Sequence, residues 1–284
     1  MKIGIIGLGL IGGSIGRSIK KNTSHIVYGR DIDSEVVLKA KLIKAIDYSL
    51  EETDFKKLDI LLVATNPMVA VNIIKEVSPK LKKGAVLMDC CGTKKVVVNC
   101  MMELKDKYPI YYIGGHPMAG REFSTISHST ANLLDRAYFI VVPVSADIKV
   151  LAFIKEFLLS LGCLNMVITS AKKHDEIISY TSQLAHIVSS CYIKNPLYKQ
   201  HVGYSAGSFR DMTRVAKLNP SMWTELMMEN SQNLIEQIDN IILHLQQYKQ
   251  ALEGDGSMLY SLLEEGNTLK EEADKLHRQG VNDD

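Results

Sequence analysis

Short apolar runs alternate with amphipathic stretches through the first half of the chain. Uninterrupted runs such as DILLVAT at 59–65 and AVLMDCC at 85–91 are typical of parallel strands that are buried on both faces. The pattern predicts strands at 2–6, 25–31, 59–65, 85–91, 111–115, 138–143 and 165–169. It also predicts helices at 11–21, 34–41, 68–77, 94–105 and 147–161. This alternation with right-handed crossovers indicates an α/β fold, a Rossmann-type doubly wound parallel sheet.

The pattern changes near residue 170, and no convincing strand follows. Long amphipathic stretches predict helices at 171–193, 208–217, 220–248 and 257–278. Asn219-Pro220 is a typical helix start, with Asn as the cap and Pro in the first turn. We therefore expect two domains, a dinucleotide-binding α/β domain at 1–169 and an all-helical domain at 170–284.

Composition excludes several classes of protein. The 284 residues are 46% hydrophobic and 23% charged, as in ordinary globular proteins and unlike disordered or collagen-like chains. A net charge of +1 predicts no nucleic-acid partner and no membrane-surface partner, and no apolar run is long enough for a transmembrane helix. The five cysteines are odd in number and lack metal-ligand spacing, which predicts buried thiols in a reducing cytoplasm and no metal site.

A glycine-rich loop follows the first predicted strand and opens the first predicted helix. Its sequence, Gly7-Leu8-Gly9-Leu10-Ile11-Gly12, matches G-x-G-x-x-G in the context that makes the motif meaningful. Gly7 allows the tight turn, Gly9 lets the backbone approach a pyrophosphate, and Gly12 lets the helix pack closely on the strand. The helix start, with Leu10 and Ile11, offers backbone N–H groups to phosphates. The loop predicts a dinucleotide cofactor.

Two further positions predict which dinucleotide binds. Asp31 ends the second strand, where a carboxylate accepts hydrogen bonds from the ribose hydroxyls of NAD and repels the 2′-phosphate of NADP. We therefore favour NAD, although Arg30 beside it could accept that phosphate and keeps NADP as the alternative. Thr65 and Asn66 end the third predicted long strand at the ligand-binding edge, where a cofactor contact and a simple turn both remain possible interpretations.

The catalytic candidates follow the next two predicted strands. His116 stands in Gly-Gly-His-Pro at a strand end, and histidine is suited to take a hydroxyl proton because its pKa lies near neutral pH. Thr93 follows the preceding strand and could hydrogen-bond the imidazole or the substrate. A structural histidine and a helix-capping threonine are the alternatives.

Polar side chains in the second half suggest a substrate site. Gln183 and His186 belong to a polar stripe on an otherwise apolar helix, which indicates a wet cleft or a network of hydrogen bonds between helices. Arg210 and Arg214 are spaced i,i+4 beside a glycine-containing loop. Two guanidinium groups on one face suit recognition of carboxylates, and the alternative is a solvated surface.

Taken together, the motifs resemble those of the prephenate/arogenate dehydrogenase family of tyrosine biosynthesis. The resemblance covers nearly the whole chain and rests on GLGLIGGS at the start, GTKK at 92–95, GGHPMAG at 114–120, KHDEIISYTSQLAHIV at 173–188 and GSFRDMTRVAKLNPSMW at 207–223. It implies a homodimer formed through the helical domain and a substrate that is prephenate or arogenate. The length leads us to expect the two catalytic-core domains without an appended regulatory domain.

The resemblance also implies a role for each candidate residue. His116 would assist deprotonation of the ring 4-hydroxyl, and Thr93, where the family often has Ser, would be its partner. His186 and Arg214 would hold substrate carboxylates, with Arg210 as a weaker candidate. Gln183 stands where some members have a second histidine, so it can hydrogen-bond the substrate but carries no charge.

The implied reaction is an oxidative decarboxylation in which hydride leaves ring C4 for the nicotinamide and the ring carboxylate departs as CO2. Prephenate gives 4-hydroxyphenylpyruvate, whereas arogenate gives tyrosine directly. Two other interpretations fit a Rossmann domain joined to helices, namely a β-hydroxyacid-type dehydrogenase and a non-catalytic dinucleotide sensor. The former typically relies on a helix-borne Lys that we do not locate, and the latter would need neither His116 nor Arg214.

Overall fold

The computed structural model describes residues 1–121 and 123–282, without the side chains of 277 and 279–282. Contacts divide the chain into two compact units, Met1–Asn230 and Ser231–Asp284. In the first unit the strands end at Ile168 and the helices begin again at Ala171. The predicted domain division between 169 and 170 stays a prediction.

An eight-stranded sheet forms the centre of the first unit, in the order β3-β2-β1-β4-β5-β6-β7-β8. The strands are β1 Lys2–Ile6, β2 Ile26–Arg30, β3 Tyr48–Ser49, β4 Ile60–Val63, β5 Val86–Asp89, β6 Tyr111–Pro117, β7 Tyr138–Pro143 and β8 Asn165–Ile168. The Rossmann-type α/β prediction is confirmed, and every long predicted strand is present. The sequence pattern missed β3, because a strand of two residues leaves no periodic signal.

One strand pair departs from the predicted parallel arrangement. β6 and β7 run antiparallel, whereas the other neighbouring strands are parallel. The antiparallel register joins His116 to Ile140 and Pro117 to Phe139, so β6 continues two residues beyond its predicted end at 115. His116 therefore lies within a hydrogen-bonded strand and not in the loop after it.

Helices cover both faces of the sheet, as a doubly wound fold requires. They are α1 Leu10–Asn22, α2 Ser34–Leu42, α3 Pro67–Val77, α4 Lys95–Leu104 and α5 Ile148–Ser160. Alternate strand residues enter two apolar clusters, because successive side chains of a strand point to opposite faces. Ile60 and Leu62 pack with α1, α2 and α5, whereas Leu61 and Val63 pack with α3 and α4.

Helices follow the sheet in the first unit. α6 Ala171–Ile178 passes through a π-helical segment, Ser179–Leu184, into α7 Ala185–Ile193, and α8 Gly207–Thr213 and α9 Pro220–Glu229 come after it. Asn219 caps α9 as predicted, since its side chain accepts the N–H of Met222. The predicted helix at 220–248 is two helices that divide at Asn230.

The second unit consists of two helices, α10 Ser231–Ala251 and α11 Ser257–Asn282, which contact each other. Large apolar side chains remain exposed on both of them, among them Ile242, Leu245, Leu263 and Leu269. Among the residues that the structure describes, no helix has the length and apolar character needed to span a membrane.

Replacing Gly12 by Ala is expected to destabilise the first unit. A Cβ atom at Gly12 would lie 1.9 Å from the backbone oxygen of Gly7, so the α1–β1 junction would have to shift. Overpacking typically costs about 1–3 kcal/mol, and a backbone clash belongs at the upper end. Gly13→Ala in the same helix is the control, because its nearest contacts at 3.2 Å are side-chain atoms that can move. Equal urea midpoints for the two variants would contradict this expectation.

Candidate active site

The carboxyl ends of β1, β4, β5 and β6 meet at one edge of the sheet, where open α/β sheets bind their ligands. The loops at this edge carry most of the predicted cofactor and catalytic residues. Helices α6 and α9 supply further polar side chains to the same edge through hydrogen bonds to residues 66, 68, 93, 94 and 95. The site is therefore assembled from both the sheet and the helices of the first unit.

The glycine-rich loop has the geometry of a dinucleotide cradle. Gly7 has a φ of +87°, and a Cβ there would lie 2.5 Å from the backbone oxygen of Ala64. A Cβ at Gly9 would lie 2.8 Å from the backbone oxygen of Ser124, which accepts the N–H of Leu10 at 2.7 Å. Glycines fit this turn without a clash, and the predicted pyrophosphate contacts of Leu10 and Ile11 at the start of α1 stay a prediction, since the N–H of Leu10 is bonded to Ser124 here.

Asp31 serves the same loop in a way that the sequence did not reveal. Its Oδ2 accepts the N–H of Leu8 at 2.7 Å, and its Oδ1 accepts the N–H of Asp33 at 3.1 Å. The carboxylate thus fixes the loop while lying at the end of β2, where a ribose would bind. Arg30 turns toward Glu52, with a nitrogen–oxygen distance of 3.4 Å, so its guanidinium is already engaged by an acid.

A glutamate from α9 occupies the start of α3. The carboxylate of Glu225 accepts the N–H of Met68 at 2.9 Å and the side-chain amide of Asn66 at 3.4 Å. Asn66 is the residue before α3, but its own side chain makes no capping bond. The hydroxyl of Thr65 lies 3.4 Å from the backbone oxygen of Asn66. Asn66, one of the two residues predicted to contact the cofactor, is therefore bonded to Glu225 of α9, which sequence reasoning missed.

A buried ion pair lies beneath the catalytic candidates. Lys94 and Asp89 are both fully buried, and the Lys94 ammonium donates to the Asp89 carboxylate. Lys94 also donates to the backbone oxygen of Gly115 at 2.6 Å, and Asp89 accepts the N–H groups of Gly115 and Cys91. The pair joins the ends of β5 and β6 and fixes the backbone next to His116. The GTKK motif contains Lys94, but nothing in its spacing shows which acid it meets.

His116 begins a chain of three hydrogen-bonded side chains. Its Nδ1 lies 2.8 Å from Nε2 of His174, and Nδ1 of His174 lies 2.7 Å from Oδ1 of Asp175. Burial lowers the pKa of His116 well below its usual value, and the neighbouring His174 ring and the Lys94 charge lower it further. His116 is therefore a neutral imidazole at neutral pH, able to accept a proton.

Thr93 bonds an acid and not the histidine. Its hydroxyl donates to Oε2 of Glu229 at 2.5 Å, and the threonine side chain is buried. Burial raises the pKa of the Glu229 carboxyl, and the nearby carboxylates of Glu225 and Asp175 add to that effect. The second oxygen of Glu229, Oε1, is buried without a hydrogen-bond partner among the residues that the structure describes. A hydrogen-bond donor of a ligand would satisfy it.

The predicted substrate residues fall into two groups. Gln183 is buried, and its amide donates to the backbone oxygen of Leu226 at 3.0 Å and accepts from Asn230 at 2.8 Å. Gln183 therefore belongs to a network of hydrogen bonds between helices, which was one of the two interpretations of the polar stripe. His186 lies 3.0 Å from the backbone oxygen of Val215 and packs against the Trp223 ring.

Arg210 and Arg214 are both exposed on the first unit. Arg210 lies within α8, and Arg214 is the residue directly after its last turn. Val215, whose backbone oxygen lies near the His186 ring, directly follows Arg214 in the chain. The structure therefore associates His186 with the segment that carries Arg214.

Comparisons with known proteins show which family this chain is similar to. The family model of the prephenate dehydrogenase nucleotide-binding domain matches residues 15–167, and that of the dimerization domain matches residues 170–265. A prephenate dehydrogenase of Lactococcus lactis subsp. cremoris is 30% identical over 98% of this chain and 78% of its own. A cyclohexadienyl dehydrogenase of Zymomonas mobilis is 29% identical over 94% of both chains.

Solved structures show the same fold. The prephenate dehydrogenase of Aquifex aeolicus, in complex with hydroxyphenyl propionate and NAD+, superposes with a TM-score of 0.84 at 24% identity. The match covers 97% of this chain and 98% of that one.

The fold and the glycine loop define a nicotinamide-dependent dehydrogenase with a Rossmann domain. More particularly, the chain belongs to the prephenate dehydrogenase family. This confirms the resemblance drawn from the sequence motifs.

Lys94→Met is expected to destabilise the first unit by about 3–5 kcal/mol, because it leaves the buried Asp89 carboxylate without its counter-charge. Lys95→Met is the matched control, since that neighbouring side chain is exposed, and its effect should stay within about 0.5 kcal/mol. Urea unfolding followed by circular dichroism measures both. A Lys94 variant as stable as the Lys95 variant would show that the ion pair does not stabilise the fold.

Proposed function

We propose that this protein is a prephenate dehydrogenase that converts prephenate to 4-hydroxyphenylpyruvate in tyrosine biosynthesis. The observation that carries the proposal is the place of His116, a neutral imidazole near the carboxyl end of β6, at the same edge of the sheet as the dinucleotide loop. The family and the names of its relatives support the choice of substrate.

NAD is the cofactor that these residues suit. Gly7, Gly9, Leu10, Ile11 and Gly12 would hold the pyrophosphate, Asp31 the adenosine ribose, and Thr65 and Asn66 would lie along the cofactor. Arg30 is paired with Glu52, and the Asp31 carboxylate at the end of β2 would repel the 2′-phosphate of NADP. When bound, NAD+ supplies the hydride acceptor.

In the proposed mechanism His116 accepts the proton of the ring 4-hydroxyl as the carbon–hydrogen bond at ring C4 breaks. Its low pKa keeps it ready as a base, and the strands around it are held by Lys94 and Asp89. Thr93 would lie beside the same hydroxyl, with its own O–H donated to Glu229. Aromatisation drives the step, so positioning and proton transfer are what the protein has to provide.

We place the two substrate carboxylates on the helical side of the site. Arg214 and His186 would bind them, with Arg210 contributing at longer range. Gln183 would position the helices that carry these residues and would not bind the substrate itself, since both its amide nitrogen and its amide oxygen are bonded within the protein.

The proposed assembly is a homodimer formed through the helical domain at 170–284, next to a dinucleotide-binding domain at 1–169. The match to a family dimerization domain supports it, and the exposed apolar side chains of α10 and α11 offer surface for such contacts.

We propose a cytoplasmic location, because all five cysteines are free thiols and four of them are buried. We propose no nucleic-acid or membrane partner, given the net charge of +1.

Arogenate dehydrogenase activity is the second candidate. The cyclohexadienyl dehydrogenase of Zymomonas mobilis, 29% identical over 94% of this chain, favours it. The ring chemistry is the same for both substrates, and only the side chain differs, with a keto group in prephenate and an amino group in arogenate.

The deciding experiment measures NADH or NADPH formation with each pair of prephenate or arogenate and NAD+ or NADP+. We expect the highest kcat/KM with prephenate and NAD+. His116→Asn should lower kcat by about 100-fold or more, the usual contribution of a general base, while calorimetry shows unchanged NAD+ binding. His25→Asn, before β2 at the opposite edge of the sheet, is the control. Turnover at the wild-type rate by His116→Asn would contradict the proposal.

Arg214→Ala should raise the KM for prephenate by at least about tenfold, because a charge-assisted pair contributes more than about 1.4 kcal/mol. Arg210→Ala is the matched comparison, four residues away on the same segment, and its effect should be clearly smaller. Steady-state kinetics at saturating NAD+ measures both. A larger effect of Arg210→Ala would move the carboxylate site toward the interior of α8.

A further inference from the structure

We propose that His174 and Asp175 are positioning residues that set the protonation of His116 and take over the proton that it receives. The inference rests on the proposed function of His116 and extends it to a chain of three side chains. Neither residue stood out in the sequence as a site candidate, although both lie in the KHDEIISYTSQLAHIV motif.

This chain of hydrogen-bonded side chains begins at the carboxylate of Asp175. Asp175 is 3% exposed, and its two carboxylate oxygens accept the backbone N–H groups of Lys94 and Lys95 at 2.8 and 2.9 Å. These donors lie at the start of α4, where the helix dipole also favours an anion. An ionised carboxylate only accepts hydrogen bonds, so Asp175 can be only the acceptor in its contact with His174.

Because Asp175 accepts, the direction of the two hydrogen bonds that link it through His174 to His116 is determined. Nδ1 of His174 lies 2.7 Å from Asp175, so it carries the hydrogen and donates. In a neutral His174 the other nitrogen, Nε2, is then an acceptor. Nδ1 of His116, which lies 2.8 Å from it, must therefore carry a hydrogen and donate. Nε2 of His116 is left with a free lone pair, which is the state that a base acting on a hydroxyl needs.

The same chain can move the proton onward. When the O–H bond of the substrate hydroxyl breaks, an N–H bond forms at Nε2 of His116, which becomes an imidazolium. Its Nδ1–H bond can then break while an N–H bond forms at Nε2 of His174. The positive charge now lies against the Asp175 carboxylate, and no electron is transferred in this step. His174 is 2% exposed, so the transferred proton is held away from bulk water.

The charged groups around the histidine pair favour this destination. In the part of the chain that the structure describes, they are Asp89 on β5, Lys94 before α4, Asp175 on α6 and Glu229 on α9. Lys94 and Asp89 neutralise each other in their ion pair, and Glu229 bonds Thr93 and not the histidine pair. Asp175 is thus the anion that bonds the pair directly, and it touches His174 and not His116.

The first test is the pH profile of kcat. Asp175→Asn removes the charge that stabilises a protonated histidine pair, so the acid limb of the profile should move to lower pH. The plateau should fall by about 100-fold or more, since a wrong tautomer disables a base. The KM for prephenate and the affinity for NAD+ should change little, because Asp175 reaches neither the glycine loop nor the arginine segment through its hydrogen bonds.

Asp147→Asn is the matched control for the lost helix cap. Asp147 accepts two backbone N–H groups at the start of α5, at 2.9 Å each, and makes no bond to a histidine there. Its replacement should lower stability through the lost cap while leaving kcat and its pH profile unchanged. Equal effects of the two variants on kcat would reduce Asp175 to a structural cap and overturn the inference.

His174 is tested by a graded pair of variants. His174→Gln keeps an oxygen that can accept from Nδ1 of His116 but cannot carry the proton onward, whereas His174→Phe removes the acceptor. We expect kcat to fall in the order wild type, Gln variant, Phe variant. Identical kcat values for the Gln and Phe variants would overturn the role of His174 in setting the tautomer.

A spectroscopic measurement on the wild-type protein needs no variant to fold well. Nitrogen-15 NMR of labelled histidine, in the protein without prephenate, should show His116 protonated at Nδ1 and His174 also at Nδ1. A hydrogen on Nε2 of His116 would overturn the inference. If the spectrum is as expected but the protein does not oxidise prephenate, the proposed function fails while the hydrogen-bond chain stands.

Discussion

The buried ion pair of Lys94 with Asp89 is the constraint on which the site depends. Two fully buried charges are tolerated only because each neutralises the other and because their remaining hydrogen-bonding positions are used. Asp89 accepts N–H groups from Cys91 and Gly115, and Lys94 donates to the oxygen of Gly115. These hydrogen bonds hold the ends of β5 and β6 together at Gly115, and His116 is the next residue.

Carboxylates from the helices that follow the sheet form further hydrogen bonds to the ligand-binding edge. Asp175 on α6 bonds the start of α4, and Glu225 on α9 bonds the start of α3. Both helix starts follow strands of the sheet at its ligand-binding edge, so acids of one region neutralise positive dipole ends of the other. A third acid, Glu229, orients Thr93. These contacts explain how a helical segment can contribute to chemistry at the edge of a Rossmann sheet.

The sequence predicted the fold well where periodicity was strong. DILLVAT and AVLMDCC could be recognised as buried strands because they are nearly continuous apolar runs, and both strands lie in the sheet as expected. The antiparallel β6–β7 pair could not be predicted, because apolar patterning does not encode the direction of a neighbouring strand. The division of 220–248 at Asn230 was missed for a similar reason, since the amphipathic pattern continues across the break.

By itself the sequence determined the class of fold, the dinucleotide loop and the family, because these depend on local patterns and on motifs with fixed spacing. Only the tertiary structure decided which side chains meet. It paired Lys94 with Asp89, and it joined His116 to His174, 58 positions further along the chain, and through it to Asp175. It also gave Thr93 a glutamate as its partner and enclosed the Gln183 amide within the protein. Such pairings depend on how strands and helices are brought together in space, and the spacing of residues along the chain carries no record of that arrangement.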